Sequence, residues 1–440
     1  MLLAFVACTS PGPGLGAPLS DTPIVRPVTT EVELPGAGAV AVASDVPVAC
    51  DEPILVAQTG WTTDAAVLAD PHLDVLGEAP APRQVHVGWT GDPSASMTMI
   101  WRTDAETLAT QVQIGSDEGY GYTLDGASFL VGTDVADGRV HEVRVCGLLP
   151  GTTWRYRVGG GPVGEEGAWS EGHTFTTAPP PGSSEPFVFG VAGDSRGGAT
   201  TWGAVLEGMA AHGVEFRLFT GDAVANGTRV YEWDDWYDAG AGYIESVPTM
   251  MANGNHEGLA QAYFALAALP ANEEWYSFDY ANVHFATWND SVASSADWST
   301  QATWLAADLA ATSQPWKIAY HHKPAYSGCR PNGEDANVRT WFVPVEEAGG
   351  VQLDLAGHNH NYERSVPLRG GVAVEQAEGV TYMVTAGAGA PLYDNNQAFA
   401  YTAIAVETEH YVIGVVEGDR LTMTAYDLAG NVLDVHTLAP

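Results

Sequence analysis

Two histidines in the segment GHNHNYER, His358 and His360, are the residues in this sequence that first suggest chemistry. They lie two positions apart, and residues i and i+2 of an extended backbone point in the same direction. Neutral imidazole is the commonest side-chain metal ligand at physiological pH. Two ordinary histidines near a strand end are also common, so the hypothesis of a metal site depends on what precedes them.

Five short segments in the second half of the chain share one pattern, an apolar run that predicts a β-strand followed by a polar turn. Their ligand-type residues are Asp194, Asp222, Asn255 with His256, His321 with His322, and His358 with His360. In open α/β sheets, ligands bind at the carboxyl ends of the strands, so we expect these side chains to meet at one edge. Carboxylate, amide and imidazole groups suit Mn, Zn or Fe. The sequence therefore predicts a metal centre.

The charge of the chain limits its partners. It has 54 Asp and Glu against 17 Lys and Arg, and a net charge of -37. Such a chain repels nucleic acid and anionic membrane surfaces, so we expect no nucleic-acid partner. Phosphate chemistry would need a local positive centre. Two divalent ions held by two aspartates and a bridging hydroxide would leave a net positive charge there.

The elements that must position these residues alternate strands with helices. Trp202, Val205, Leu206 and Met209 follow the i, i+3, i+4, i+7 spacing of an amphipathic helix. Residues 231–246 and 301–312 also predict helices. We expect residues 187–440 to form an α/β (α+β) domain, a β-sandwich flanked by helices, that ends in a β-hairpin.

An all-β domain is expected before it. Residues 79–178 contain several short strands with alternating polarity, which indicates a β-sandwich. The run HEVRVCGLLPGTTWRYRV resembles a strand pair of fibronectin type III domains, which usually act as spacers. Residues 179–186 are expected to be a Pro/Ser-rich linker.

The N-terminus suggests export. Residues 1–8 resemble the end of a bacterial lipoprotein signal peptide, with Cys8 as the lipidated residue and a possible lipid anchor. We therefore expect a lipoprotein of the bacterial cell envelope or a secreted protein. Residues 9–78 are interpreted as a linker or a small unassigned segment. The other cysteines, Cys50, Cys146 and Cys329, allow at most one disulfide and one free thiol.

The segments GDSR, GDAVANG, GNHE, HHKPAY and GHNHNYER, in this order, resemble the calcineurin-like metallophosphoesterases. With the fibronectin-like domain in front, the resemblance is to the purple acid phosphatase branch and covers residues 80–440. It implies an acid-phosphatase-like phosphomonoesterase that acts on small phosphorylated substrates through two metal ions (Fe, Mn or Zn) and a bridging hydroxide. Two alternatives remain: a phosphodiesterase or nucleotide pyrophosphatase of the same fold, and a cell-surface binding protein with a degenerate metal site.

The resemblance also implies a role for each residue. A first metal position would use Asp194, Asp222 and His360. A second position would use Asp222, Asn255, His322 and His358, with Asn255 also contacting substrate. His256 would be the general acid or a charge stabiliser, and Glu257 would support the ligands.

This sequence departs from the family pattern at two positions. The branch places a tyrosine three residues after the bridging aspartate, where this chain has Ala225, and most other members place a histidine where it has Arg196. We expect no phenolate-to-iron absorption band, and Mn or Zn to be as suitable as Fe. Arg196 would either bind the substrate phosphate or form a salt bridge.

Overall fold

The computed structural model describes residues 46–50, 74–116, 119–130, 138–162, 166–292, 294–393 and 398–439. The expected signal segment with Cys8 and most of the expected linker lie outside these residues. Among the described helices, none is long and apolar enough to cross a membrane.

The N-terminal part is the expected all-β sandwich, built from two antiparallel sheets. The first sheet has the order β1-β7-β3-β2, with β6 also paired to β7, and the second has β10-β8-β4-β5, with β9 paired to β8. The strands are β1 (Val48–Ala49), β2 (Arg83–Gly88), β3 (Ser96–Thr103), β4 (Gln111–Gly115), β5 (Tyr122–Asp125), β6 (Ala127–Leu130), β7 (Arg139–Cys146), β8 (Thr153–Gly160), β9 (Ala168–Trp169) and β10 (His173–Thr176). In β8, Trp154 and Tyr156 are buried while Thr153 and Arg155 are exposed, which is the period-two pattern of a strand with one face in the core.

Within residues 9–78, interpreted from the sequence as a linker or a small unassigned segment, residues 48–50 join the N-terminal sandwich. Val48 and Ala49 pair with β7, and Cys50 forms a disulfide with Cys146 at the end of that strand. A two-residue strand has no detectable periodicity, so the sequence could not reveal it. Cys329 is buried and takes no part in this disulfide, which agrees with the expectation of at most one disulfide among the three cysteines.

The described residues between 187 and 438 form two mixed sheets and a small two-stranded sheet, with helices outside them, which confirms the predicted fold class. The elements are β11 (Phe187–Ala192), α1 (Ala199–Ala211), β12 (Phe216–Phe219), α2 (Val230–Ala239), β13 (Thr249–Met251), α3 (Gln261–Ala267), β14 (Tyr276–Tyr280), β15 (Val283–Thr287), α4 (Ser295–Ala311), β16 (Trp316–Tyr320), α5 (Ala336–Trp341), α6 (Val343–Gly349), β17 (Leu353–Ala356), β18 (Tyr362–Ser365), β19 (Leu368–Arg369), β20 (Val372–Ala373), a 3-10 turn (Gln376–Glu378), β21 (Thr381–Thr385), β22 (Thr402–Val406), β23 (His410–Glu417), β24 (Arg420–Asp427) and β25 (Val432–Leu438). One sheet has the order β13-β12-β11-β23-β24-β25 and the other β14-β15-β16-β17-β21-β18-β22. The strands β11, β12 and β13 are parallel, as are β15, β16, β17 and β21.

The helices agree with their sequence patterns except at their ends. The four apolar residues predicted for α1 are all buried. Helix α2 ends at Ala239, before the predicted end, where Gly240, a poor helix former, is the C-cap residue. Helix α4 begins earlier than predicted, and Ser294 caps it by accepting a hydrogen bond from the Asp297 backbone. The predicted C-terminal hairpin, β23 and β24, is extended by β25.

The two parts of the chain share one apolar core. The Trp89 ring of the N-terminal sandwich lies 5.5 Å from the ring of Phe216 and 5.9 Å from that of Phe278. Beside this core, Arg102 of β3 is fully buried and forms an ion pair with Asp234 of α2. The sandwich is therefore packed onto the second domain, close to the helix that follows the Asp222 loop.

Candidate metal centre

The five predicted ligand segments follow the carboxyl ends of β11, β12, β13, β16 and β17, and their side chains meet between the two sheets. Three of these residues, Asp194, Asp222 and His358, have positive φ angles of 59°, 57° and 66°. A residue other than glycine is strained in this conformation, and such strain is concentrated at functional sites. The strained backbone turns each side chain toward the same point.

Glycines precede the ligands because the loops touch each other. A Cβ on Gly254 would collide with the backbone nitrogen and the Oδ1 oxygen of Asp222, and a Cβ on Gly357 would collide with Asp194 Oδ2 and the Thr220 carbonyl. The glycines of the sequence segments therefore allow the ligand loops to pack backbone against backbone.

The second position fits a metal ion. His322 Nε2 lies 3.0 Å from Asn255 Oδ1, 3.2 Å from His358 Nδ1 and 3.3 Å from Asp222 Oδ1. The ligand atoms of Asp222, His322 and His358 all lie within 4.8 Å of one another. One carboxylate, one amide oxygen and two imidazoles form a donor set suited to Zn, Mn or Fe.

Hydrogen bonding fixes the ligating nitrogen of His322. Its Nδ1 lies 2.8 Å from the Thr220 carbonyl oxygen, which can only accept, so Nδ1 carries the hydrogen and Nε2 faces the other ligands. Burial lowers the pKa of His322, but the carboxylates of Asp222 and Asp194 outweigh it and raise the pKa to about 10. A cation is therefore favoured at this point, and a metal ion can take the place of the proton.

The first position has a different composition. Asp194 is fully buried, and its Oδ1 has no hydrogen-bond partner among the described residues. His360 Nε2 lies 3.3 Å from this oxygen, and His360 Nδ1 lies 2.6 Å from the carbonyl of Pro391. The Arg196 side chain enters the same space, with Nε 3.5 Å from Asp222 Oδ2 and Nη2 3.5 Å from His360 Nε2.

His256 lies at the open edge of the centre. Its backbone N–H donates to Asp222 Oδ1, and its Nδ1 lies 2.8 Å from the Ala225 carbonyl, to which it donates. Its Nε2 is 3.8 Å from Asp222 Oδ2, and its side chain is 31% exposed. This partial exposure is the position that a group in contact with a substrate needs.

Glu257 holds two ligand loops together, as expected for a supporting residue. Its Oε2 accepts hydrogen bonds from the backbone nitrogens of Asp222 and Gly254, and its Oε1 accepts one from Val224. Burial, followed by the negative charge of Asp222, raises the pKa of Glu257 to about 7.

Sequence reasoning missed Asp290, which follows β15 at the same edge of the sheet. Its Oδ2 accepts hydrogen bonds from the backbone of His322 and from His321 Nδ1. His321 also contacts Asp354 and points away from the ligands, so the choice of His322 over His321 agrees with the geometry. The strand-end rule that selected the other segments could have found Asp290, because it too follows a parallel strand.

The remaining residues of the GHNHNYER segment have structural contacts. Glu363 accepts hydrogen bonds from Ser327, Gly328 and Thr402, and Arg364 pairs with Asp434 through two nitrogens. These contacts fix the strand that follows His360.

Two segments of the chain match known protein families. Residues 82–177 match the family described as "Purple acid Phosphatase, N-terminal domain", and residues 187–362 match "Calcineurin-like phosphoesterase". Purple acid phosphatase 18 of Arabidopsis thaliana is 27% identical over 311 residues, which cover 66% of this chain and 68% of that protein. An uncharacterized protein of Mycobacterium tuberculosis is 26% identical over 346 residues, covering 68% of this chain and 64% of that protein.

Solved structures share the fold. Purple acid phosphatase PPD1 from yellow lupin (Lupinus luteus) seeds has a TM-score of 0.73 at 19% identity, covering 82% of this chain and 74% of that chain. A structure of PhoD has a TM-score of 0.59 at 14% identity, covering 82% of this chain and 94% of that chain. At these identities the likeness concerns the fold alone. The two family matches show that the chain carries a purple acid phosphatase N-terminal domain followed by a calcineurin-like phosphoesterase domain, and so belongs among the hydrolases of this family.

Proposed function

We propose that the chain is an exported, metal-dependent phosphomonoesterase. The observation that carries this proposal is the convergence of Asp222, Asn255, His322 and His358 beside the partly exposed His256. A metal ion bound there supplies Lewis acidity, which lowers the pKa of water and neutralises charge on the phosphoryl oxygens.

Residues around the metal position would orient the phosphoester and give a proton to its leaving oxygen. His256 Nδ1 donates to Ala225, so its Nε2 is directed into the centre. A proton on Nε2 can pass to the leaving oxygen, which is the role of a general acid. When Asn255 Oδ1 faces the metal position, its NH2 group remains able to donate to a phosphate oxygen. The Arg196 guanidinium can donate to the same phosphate group.

Export is supported by one observation besides the N-terminal sequence. The disulfide between Cys50 and Cys146 closes the edge of the first sheet. Such bonds persist in oxidising compartments and are rare in the cytosol.

If Cys8 carries a lipid, a Cys8→Ala variant expressed in a bacterial host should move from the membrane fraction to the soluble fraction. An unchanged distribution would contradict the anchor.

The test compares p-nitrophenyl phosphate with bis(p-nitrophenyl) phosphate as substrates of the full chain, with Mn²⁺, Zn²⁺ or Fe²⁺ supplied. We expect faster hydrolysis of the monoester and loss of activity in Asp222→Asn. In His256→Ala we expect kcat to fall by roughly 10² to 10⁴, as removal of a general acid does. His173→Ala, in the N-terminal sandwich, is the matched control and should retain activity.

The outcomes separate the three candidate functions. Faster hydrolysis of the diester, with the same dependence on Asp222, would assign the chain as a phosphodiesterase. The absence of metal-dependent hydrolysis of either substrate, in a folded protein, would favour the binding protein with a degenerate metal site.

A further inference from the structure

The first position lacks ligands that the family pattern supplies. Ala225 replaces a phenolate and Arg196 replaces an imidazole, so Asp194, Asp222 and His360 are the family ligands that remain. An arginine side chain donates hydrogen bonds and cannot serve as a normal metal ligand. The placement of the Arg196 side chain therefore determines whether a metal ion can bind at the first position.

The Arg196 guanidinium lies against two of the three remaining ligand atoms. Its Nε is 3.5 Å from Asp222 Oδ2 and its Nη2 is 3.5 Å from His360 Nε2. Because His360 Nδ1 donates to the Pro391 carbonyl, Nε2 presents its lone pair, and this lone pair faces Arg196. A metal ion at the first position would need the same lone pair at about 2.0–2.1 Å.

A backbone hydrogen bond and partial burial hold Arg196 in this orientation. Its backbone N–H donates to the Asp222 carbonyl, 3.1 Å away, and its side chain is only 20% exposed. Asp194 Oδ1 is buried beside His360 without a hydrogen-bond partner among the described residues, so a positive charge nearby is favourable. The guanidinium supplies that charge permanently, whereas an ion in the same space would be repelled by it.

We propose that the Arg196 guanidinium occupies the first metal position, and that the chain binds one divalent metal ion, at the second position. Two carboxylates, one guanidinium and one divalent ion leave a centre of about +1 charge, which still attracts a phosphate group. Arg196 presents five N–H donors, so those not directed at Asp222 and His360 can bind phosphate oxygens. The inference depends on the proposed function only in assuming a metal ion at the second position.

The test is the number of metal ions bound per chain, measured by calorimetric titration of the metal-free full-length protein with Zn²⁺ and by elemental analysis after dialysis. We expect one ion in the wild type and in Asp194→Asn, and none in Asp222→Asn. Two ions in the wild type, with one lost in Asp194→Asn, would overturn the proposal. Because no substrate is used, this result is independent of whether the chain proves to be a phosphatase.

Arg196→His tests whether this side chain excludes the second ion, because it returns an imidazole to the position. We expect two ions per chain, and with Mn²⁺ a change from the spectrum of an isolated ion to that of a spin-coupled pair in electron paramagnetic resonance. A count that stays at one would refute the role of Arg196. Arg229→His, a change at an exposed arginine, is the matched control and should bind one ion. Circular dichroism confirms that each variant is folded.

Discussion

Glu257 shows how a residue without a ligating atom can determine the geometry of the metal centre. One of its carboxylate oxygens accepts hydrogen bonds from the backbones of Asp222 and Gly254, each at 2.9 Å. These two nitrogens belong to two different ligand loops. The carboxylate therefore fixes the distance between Asp222 and Asn255.

Glu257→Gln tests this role at the scale of one atom. In this variant one acceptor oxygen becomes an NH2 group, which would face the backbone N–H groups that Glu257 now accepts from. Either this contact is lost or the loop that carries residue 257 rotates, and both changes displace Asp222. We expect metal affinity to fall by roughly 10–100-fold, as it does when partners of metal ligands are removed. Calorimetric titration with Zn²⁺ measures this, with Glu207→Gln on the exposed face of α1 as the control. An unchanged affinity would mean that the loops hold their positions without Glu257.

The sequence predicted the candidate ligands but could not predict the orientation of Arg196. Four of the six ligands, Asp194, Asp222, Asn255 and His358, directly follow a glycine after an apolar run, a local pattern with a physical reason, since the loops must pack closely. Arg196 could equally have pointed outward to a carboxylate on an acidic surface. Its direction depends on Asp222 Oδ2 and on Nε2 of His360, which come together beside Arg196 only in the assembled site.

The final strand, β25, stabilises the strand that follows the metal ligands. Asp434 accepts hydrogen bonds from Arg364 Nε at 2.6 Å, Arg364 Nη2 at 3.1 Å and the Tyr362 hydroxyl at 2.8 Å. Both side chains of the ion pair are largely buried, at 14% and 11% exposure. Two sheets are therefore joined by this cluster, close to His360.

Asp434→Asn should lower the free energy of unfolding by about 1–3 kcal/mol at pH 7, because a charge-assisted pair becomes a neutral contact. Burial raises the pKa of Asp434, but the bonds from Arg364 and Tyr362 outweigh it and lower the pKa. The stabilisation is present above the unfolded pKa of about 4 and is lost as the pH falls through the folded pKa. Urea unfolding at pH 7 and below pH 4 measures it, with Glu417→Gln as the control. A difference that is independent of pH would contradict the ion pair.

Helices and strands with a clear hydrophobic period could be predicted from the sequence. Short elements, and elements whose period is interrupted, could not. Helix α1 and strand β8 carry four or more residues in phase with one buried face. Strands β1, β9, β19 and β20 have two residues each, too few to show a period. Helices α5 and α6 are short and follow each other directly, with Pro344 at the start of α6, so their pattern is broken.

At the scale of the whole molecule, the N-terminal sandwich and the metal-binding domain are expected to unfold together. Trp89 lies among the aromatic rings of the second domain, and the Tyr156 hydroxyl donates to the Glu245 carbonyl at 2.7 Å. The sequence predicted a sandwich of the kind that often acts as a spacer. Its burial against α2 was not predictable, because apolar residues at a domain interface have the same pattern as residues of either core.

The ion pair across this interface provides the test. Asp234→Ala removes a carboxylate partner of the fully buried Arg102. We expect the free energy of unfolding to fall by about 1–3 kcal/mol. This loss is smaller than for a fully buried ion pair, because Asp234 is partly exposed. Asp235→Ala, at the exposed neighbouring position of the same helix, should leave it nearly unchanged. Because the core is shared, urea unfolding followed by tryptophan fluorescence and by circular dichroism should show one common transition that shifts as a whole. Two transitions, of which Asp234→Ala shifts only one, would instead show that the domains unfold independently and that the interface contributes little to the stability of the metal centre.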